Sequence, residues 1–252
     1  MRRAVVAGLL VLGACSASGD PTVAVAPEAT APAPTIAPTT TTTPATTTTA
    51  PPTTLPPETT TTTAAPAGLV RPTLQQTGYR EYGVAGPVTL FHPADLVYRV
   101  GFHESNNDGA QHQDPLATAV DPVVLESRDR GTDRQSAADI VVDPDTEIRS
   151  PVNGTVLRSG SYTLYCDYTD EYVVIEPDDR PGWEVKVLHI VGVQVHRGDR
   201  VTAGQTRIAE HAHLLPFPSQ TDELNPGGEI IPHVHVEVVD PSIPDRPGEP
   251  CP

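Results

Sequence analysis

The sequence predicts a mainly β domain, with antiparallel strands and a sandwich-like or barrel-like core. Short runs of alternating or β-branched residues recur along the second half of the chain, and turn residues such as Asn153-Gly154 and Arg197-Gly198-Asp199 separate them. Prolines recur too often for long helices, because proline breaks the helical hydrogen-bond pattern. These prolines include Pro144, Pro151, Pro177 and Pro181.

Each predicted strand is a run of apolar residues between turn signals. The predicted strands, in chain order, cover residues 96–105, 123–127, 139–142, 154–157, 171–176, 184–190 and 232–239. This pattern of short strands and turns favours a mostly antiparallel arrangement.

The N-terminus predicts export. Arg2 and Arg3 precede an apolar run over residues 4–12, which is too short to span a bilayer as a mature helix, so residues 1–14 are predicted to be a signal peptide. The segment Leu12-Gly13-Ala14-Cys15 resembles the bacterial lipoprotein cleavage box, in which the cysteine becomes the lipidated first residue. We therefore expect a protein anchored to the cell membrane by a lipid on Cys15 and facing the cell wall; plain secretion is the alternative.

Residues 15–68 are predicted to form a disordered linker behind the lipidated cysteine. From residue 20 to 68 the chain is almost all Thr, Pro and Ala, which offers no apolar pattern to offset the entropy of ordering. The remainder is long enough for one domain with a core. The formal net charge of −16 argues against nucleic acid as a partner, because phosphate binding requires a basic face.

Two cysteines remain beyond the proposed anchor. Cys251 lies in a Pro-rich tail, residues 244–252, and an exported compartment permits disulfides. A Cys166–Cys251 bond would fix that tail to the domain, whereas two free thiols are the alternative.

The predicted strand 232–239 carries an alternating set of histidines. Residues two apart in a strand share a face, so His233, His235 and Glu237 lie opposite Val234, Val236 and Val238. Imidazoles on a rigid element backed by valines are typical of metal sites, although a solvated strand face would show the same pattern. The second H-x-H, Glu210-His211-Ala212-His213, is interpreted as exposed loop histidines.

Several segments, read in order, are similar to those of the lysostaphin/LytM-type zinc endopeptidases. The matching segments are residues 145–156 ("GTPVYAPADGTV" in the family), 172–176 ("YVVIDH"), 187–190 ("LYAHL"), 195–205 ("VKVGDRVKAGQ") and 232–238 ("PHLHFEV"). The resemblance implies the family's duplicated hybrid motif domain over residues 123–243, preceded by extension strands over residues 69–122.

The resemblance also implies a chemistry. Members of the family hydrolyse stem or cross-bridge peptides of peptidoglycan with one zinc ion, which polarises the scissile carbonyl and activates water. Transferred by position, Asp139 and His235 become zinc ligands, and His189 and His233 become the catalytic pair that handles the proton and the oxyanion.

The chain departs from the family at the first zinc ligand, where Gln135 replaces the histidine of H-x-x-x-D. A neutral amide oxygen is a poor zinc ligand. We expect His103 to substitute, because it lies on a predicted strand with Val100 and Phe102 on the opposite face; a surface histidine is the alternative. Asp108 and His112 are the reserves.

Two functions that use the predicted site remain open from the sequence, beside an envelope structural or adhesion role that rests only on the linker. The first is a peptidoglycan metallopeptidase with an altered first ligand. The second is a catalytically degenerate regulator or binder, with peptidoglycan or a cell-wall hydrolase such as an amidase as its partner.

Overall fold

The computed structural model describes residues 72–246. The predicted signal peptide, the lipidated Cys15, the linker and Cys251 lie outside the described residues. Cys166 is disulfide-bonded. No helix within residues 72–246 is both long enough and apolar enough to cross a bilayer.

The described chain is built from short strands joined by turns, with one 3-10 helix at Asp222–Leu224. The strands are β1 (Gln75–Gln76), β2 (Glu81–Ala85), β3 (Val88–Phe91), β4 (Leu96–His103), β5 (Asp114–Pro115), β6 (Pro122–Val124), β7 (Ala137–Val142), β8 (Ile148–Arg149), β9 (Gly154–Leu164), β10 (Tyr168–Pro177), β11 (Glu184–Val191), β12 (Arg200–Val201), β13 (Arg207–Ala209), β14 (His211–Ala212) and β15 (His233–Val239).

One large sheet organises the domain, with the strand order β1-β4-β7-β15-β11-β10-β9-β12. Strand β14 pairs with the end of β11, and β6 pairs with β4 as a parallel neighbour, whereas the other pairs are antiparallel. The prediction of a mainly β, antiparallel fold is confirmed. The strand order is open, with β1 and β12 at its two ends, so the expected barrel-like core is not a closed barrel.

The centre of the sheet has one apolar face and one polar face. Val234, Val236 and Val238 of β15 are fully buried in the main hydrophobic core, as the alternation in the sequence predicts. Val100 and Phe102 of β4 join the same core. The intervening residues of β4, β7 and β15 therefore point to the other face of the sheet, where the site lies.

The N-terminal extension is divided between the large sheet and a small separate sheet. Strand β4 lies between β1 and β7, so the segment 69–122 supplies a strand directly beside the predicted peptidase segment. Strands β3, β2 and β5 form a separate small sheet, and β13 pairs with β8.

The longer predicted strands are all present, although several bounds differ. Strands β9 and β10 form a hairpin that extends further than predicted, and β6 is shorter. The shortest strands, including β1, β12 and β14, were not predicted, because two-residue pairings leave no periodic pattern in the sequence.

Candidate metal centre

The polar face of the sheet lines a cleft of about 390 Å³. His103, Asp139, His189, His233 and His235 all contribute to its wall. The structure thus brings together the five leading candidates for metal binding and catalysis.

Three adjacent strands supply a compact group of ligand atoms. His103 ends β4, Asp139 lies in β7 and His235 lies in β15 directly opposite Asp139 in the strand register. Asp139 Oδ1 lies 3.0 Å from His103 Nε2 and 2.9 Å from His235 Nδ1. The ligand atoms of the three residues all lie within 4.8 Å of one another, the arrangement of a protein metal site.

The His103 ring has an unsatisfied nitrogen that fits a bound cation. His103 Nδ1 donates a hydrogen bond to the backbone carbonyl of Glu104 at 2.9 Å, because a carbonyl oxygen can only accept. His103 Nε2 is buried and faces Asp139 Oδ1 at 3.0 Å, but it makes no hydrogen bond of good geometry with any of the described residues. Metal-ligating histidines typically donate one ring N–H to a carbonyl in this way, which orients the ring and leaves the other nitrogen for the metal.

The electrostatics of the ligand group also favour a bound cation. Burial favours the protonated form of Asp139, but the nearby His103 and His233 rings and the hydrogen bond from His235 lower its pKa well below the usual value. Burial also favours neutral His235, yet the carboxylates of Asp139 and Glu237 outweigh it and raise the pKa of His235 to about 9. Two buried carboxylates thus hold a positive charge between them, which a metal ion would supply in place of the proton.

Glu237 supports His235 from the same strand. Its carboxylate lies 3.7 Å from His235 Nε2 and 2.9 Å from Lys186 Nζ, and it accepts a short hydrogen bond from Ser105 Oγ. Burial alone would raise the pKa of Glu237. The interactions with His235 and Lys186 outweigh burial, so the pKa of Glu237 lies below its usual value. Glu237 therefore acts as a fixed anion that orients His235.

His189 occupies a β-bulge. In the pairing of β10 with β11, Tyr172 faces Leu188 and Glu171 faces Ile190, so His189 has no partner residue. Its φ of +61° lies in the left-handed region, which non-glycine residues adopt rarely. Bulges re-aim side chains beside functional sites, and the His189 ring packs against the rings of His233 and His235, at centroid distances of 5.1 and 5.9 Å.

Asp170 holds His189 in this position. The buried carboxylate accepts a hydrogen bond from His189 Nδ1 at 2.6 Å and another from the backbone amide of His189 at 3.2 Å. It also accepts from Tyr162 Oη at 2.7 Å and from His213 Nδ1 at 2.9 Å. Burial alone would raise the pKa of Asp170, but these hydrogen bonds and the charge of His189 lower it to about 2.

Asp170 and His213 are residues that sequence reasoning missed. His213 was interpreted as an exposed loop histidine; that interpretation is wrong, because its half-buried ring is bound to the fully buried carboxylate of Asp170. The sequence does place an acidic residue, Asp170, within the β-rich run 168–177. Glu171 is adjacent, and the sequence alone does not show which of the two carboxylates faces His189.

The remaining candidates lie outside the ligand group. The Gln135 side chain donates to the backbone carbonyl of Gln113 at 2.9 Å. Asp108 pairs with Arg246, and His112 pairs with Asp133 and Asp114. Of the three residues expected to replace the histidine absent at position 135, His103 lies in the ligand group, and Asp108 and His112 do not. His103 is buried, so the alternative of a surface histidine is wrong.

His233 has the most enclosed ring of the cleft. Burial lowers its pKa to about 4, so the ring is neutral near pH 7. Its Nε2 lies 3.7 Å from Asp139 Oδ2, beside the ligand group. A neutral imidazole at this position is able to accept a proton from, or donate a hydrogen bond to, a group held by the metal centre.

Comparison with known proteins gives little to set beside this geometry. No protein-family model matches the sequence, and no solved structure matches it. The chain is 32% identical over 77 residues to the serine/threonine-protein kinase HAL4/SAT4 of Saccharomyces cerevisiae. That match spans 31% of this chain and 13% of the yeast kinase, so it carries no activity to this protein.

Proposed function

We propose that this protein is a zinc-dependent peptidase of the lysostaphin/LytM type that hydrolyses peptide bonds of peptidoglycan. The observation that carries the proposal is the meeting of His103, Asp139 and His235 around one point of a cleft that also contains His189 and His233. The family segments quoted from the sequence support the choice of substrate, since Asp139, His189, His233 and His235 stand at the family's functional positions.

The donor set suits zinc in particular. Two imidazoles and one carboxylate are borderline-soft and hard donors in the number that catalytic zinc sites use, which leaves a coordination position open. When bound, zinc would polarise a carbonyl oxygen and lower the pKa of a water molecule. His103 Nε2, Asp139 and His235 Nδ1 are the atoms that would hold it.

The other residues of the cleft supply proton handling. Asp170 fixes the Nδ1–H tautomer of His189, so its Nε2 is the free nitrogen of a ring that lies against His233 and His235. His233 is neutral near pH 7 and is therefore available as a general base. In this proposal His233 accepts a proton from the attacking water, and His189, oriented by Asp170, stabilises the developing oxyanion.

The cellular setting is part of the same proposal. A lipid on Cys15 would hold the chain at the cell membrane, and the linker over residues 15–68 would carry the domain towards the wall. Peptidoglycan stem or cross-bridge peptides are the proposed substrates.

The proposal is tested by zinc content and wall cleavage in one set of variants. Elemental mass spectrometry of the purified protein should give about one zinc per chain, and His103→Ala should remove most of it. His196→Ala is the matched control, because its side chain is 84% exposed and away from the cleft. Purified peptidoglycan incubated with the protein should release new amino groups, and His233→Ala should abolish the release without loss of zinc.

The regulator alternative has its own signature in these data. A protein that holds zinc but releases no amino groups from any peptidoglycan tested would bind its target without hydrolysis, and activation of a wall amidase would then be measured. A protein that takes up no zinc on titration would contradict the peptidase proposal.

A further inference from the structure

The cleft has a second functional wall beyond the ligand group. Arg128 and Arg130 both line it, on the segment that follows β6. Asn106 and Gln220 also contribute to the lining. This wall carries cationic and amide groups. Its positive charge is opposite in sign to the formal net charge of the protein, which is −16.

Buried Glu104 fixes the segment that carries the arginines. Its carboxylate accepts hydrogen bonds from Ser127 Oγ at 2.5 Å, from the backbone amide of Arg128 at 2.8 Å and from that of Arg130 at 3.1 Å. Glu104 directly follows the proposed ligand His103 in the chain. The backbone of Arg128 is therefore tied to the end of the strand that supplies a metal ligand.

The two arginines differ in what their side chains do. Arg130 Nη1 donates to the backbone carbonyl of Glu104 at 2.7 Å, so Arg130 is a structural clamp. The Arg128 guanidinium has no hydrogen-bond or ion-pair partner within residues 72–246. Asp245 also lines the cleft, but its carboxylate accepts from Asn107 and from the backbone of Asp108 instead.

We propose that Arg128 binds a carboxylate of the substrate, so that the cleft selects peptides with a free carboxylate near the bond placed at the ligand group. This inference rests on the proposed peptidase function and names its substrate class. A guanidinium offers a planar pair of donors that matches a carboxylate, and it stays charged at any working pH. The carboxylate is either the α-carboxylate at the end of a peptide or the side chain of an acidic residue.

The structure explains why such a preference would be moderate and dependent on salt. Arg128 is exposed, so solvent and ions screen its charge, and the preference should weaken at high ionic strength. The fixed backbone of the segment reduces the entropy lost when the side chain binds.

The test is a binding measurement, which does not depend on turnover. Isothermal titration calorimetry would compare N-acetylated tetra-alanine peptides of both chiralities as free acids and as C-terminal amides. A third arm would use the amide with glutamate in place of the last alanine, which separates a side-chain carboxylate from a terminal one. Each titration would be done with the full-length protein, zinc-loaded and zinc-free, at low and high salt.

Arg128→Gln is the test variant and Arg197→Gln is its matched control. Arg197 is likewise exposed and lacks a side-chain partner within the described residues, but it lies in the turn before β12, outside the cleft lining. We expect at least one carboxylate-bearing peptide to bind about tenfold more tightly than the tetra-alanine amide. Arg128→Gln should remove this difference, and Arg197→Gln should preserve it.

The outcomes separate this inference from the proposed function. Equal binding of acids and amides, no binding of any peptide, or a difference that persists in Arg128→Gln would overturn the role of Arg128. A preference found only with zinc bound and unaffected by Arg128→Gln would assign the carboxylate to the metal and also overturn it. Zinc content and amino-group release test the peptidase itself, so either proposal is able to fail while the other stands.

Discussion

His103 Nε2 lies 3.0 Å from Asp139 Oδ1, across neighbouring strands β4 and β7. In the lysostaphin/LytM pattern the corresponding ligand stands four residues before the aspartate, where this chain has Gln135. A histidine at the end of β4 reaches the same carboxylate from the adjacent strand. The geometry of the group thus depends on strand pairing and not on the local sequence around residue 135.

Replacing Asp170 with Asn should impair turnover while leaving the metal in place. The amide cannot accept from both imidazoles as the carboxylate does, so His189 loses the hydrogen bond that fixes the orientation of its ring. We expect kcat to fall about 10- to 100-fold, the usual effect of removing an orienting partner. Zinc content by elemental mass spectrometry should stay at the wild-type level.

Asp178→Asn is the control for this substitution, because Asp178 is an exposed carboxylate paired with Arg200. It should leave kcat unchanged. A loss of zinc in Asp170→Asn equal to that in His103→Ala would instead mean that Asp170 supports the ligand group as a whole.

Acid should destabilise the protein partly through Asp170. The folded pKa of about 2 lies below the value of 3.8 for an unperturbed aspartate, so the carboxylate stabilises the fold above pH 3.8. This contribution, about 2 kcal/mol at most, is lost as pH falls from 3.8 towards 2. Urea unfolding of metal-free wild type and Asp170→Asn should show their stability difference shrinking across this window. A difference that stays constant from pH 6 to pH 2 would contradict the assignment.

Gly101 should not tolerate a side chain. A Cβ at this position would lie 2.7 Å from Thr221 Cγ2 and 3.2 Å from Leu125 Cδ1. Gly101→Ala is therefore expected to lower the free energy of unfolding by about 1–2 kcal/mol, the cost of overpacking less the gain from removing glycine.

Thr221→Ser removes the clashing methyl and keeps the hydroxyl that bonds Ser219. In a double-mutant cycle by urea denaturation, Thr221→Ser should recover most of the loss caused by Gly101→Ala. Additive effects of the two changes would show that the clash is relieved elsewhere.

Removal of the metal should lower the thermal stability of wild type but not of a ligand variant. Zinc at a hundredfold excess over its dissociation constant stabilises a folded protein by about 2.7 kcal/mol. For a domain of this size, a chelator should thus lower the unfolding midpoint by roughly 5–10 °C. Calorimetry of His103→Ala with and without chelator should give the same midpoint, and His196→Ala should respond like wild type.

The face of β15 and the role of β4 were predictable from sequence because both obey the period of two. Alternation places His233, His235 and Glu237 opposite three valines, and it places His103 opposite Phe102. The core valines are buried and the histidines line the cleft, as the pattern requires.

The pairing of Asp170 with His189 was not predictable in the same way. The bulge at His189 breaks the alternation of β11, and no residue type in that strand predicts a bulge there. His213 reaches Asp170 from the segment after β14, a tertiary contact between residues 43 positions apart. The alternation of residues within one strand does not show which other segment packs against that strand. The contact between His213 and Asp170 was therefore not predictable from it.

In the proposed zinc site, the position of His103 on β4 would couple metal binding to the assembly of the sheet. His235 and Asp139 are 96 residues apart in sequence, and the third donor comes from a further strand, β4, outside the segments that resemble the proposed family. The unfolded chain offers no such trio close together, so zinc would bind the completed sheet and shift folding towards it. A fragment that begins at residue 123 would lack both β4, the strand that pairs with β7, and one proposed ligand, so added zinc should not restore its folding.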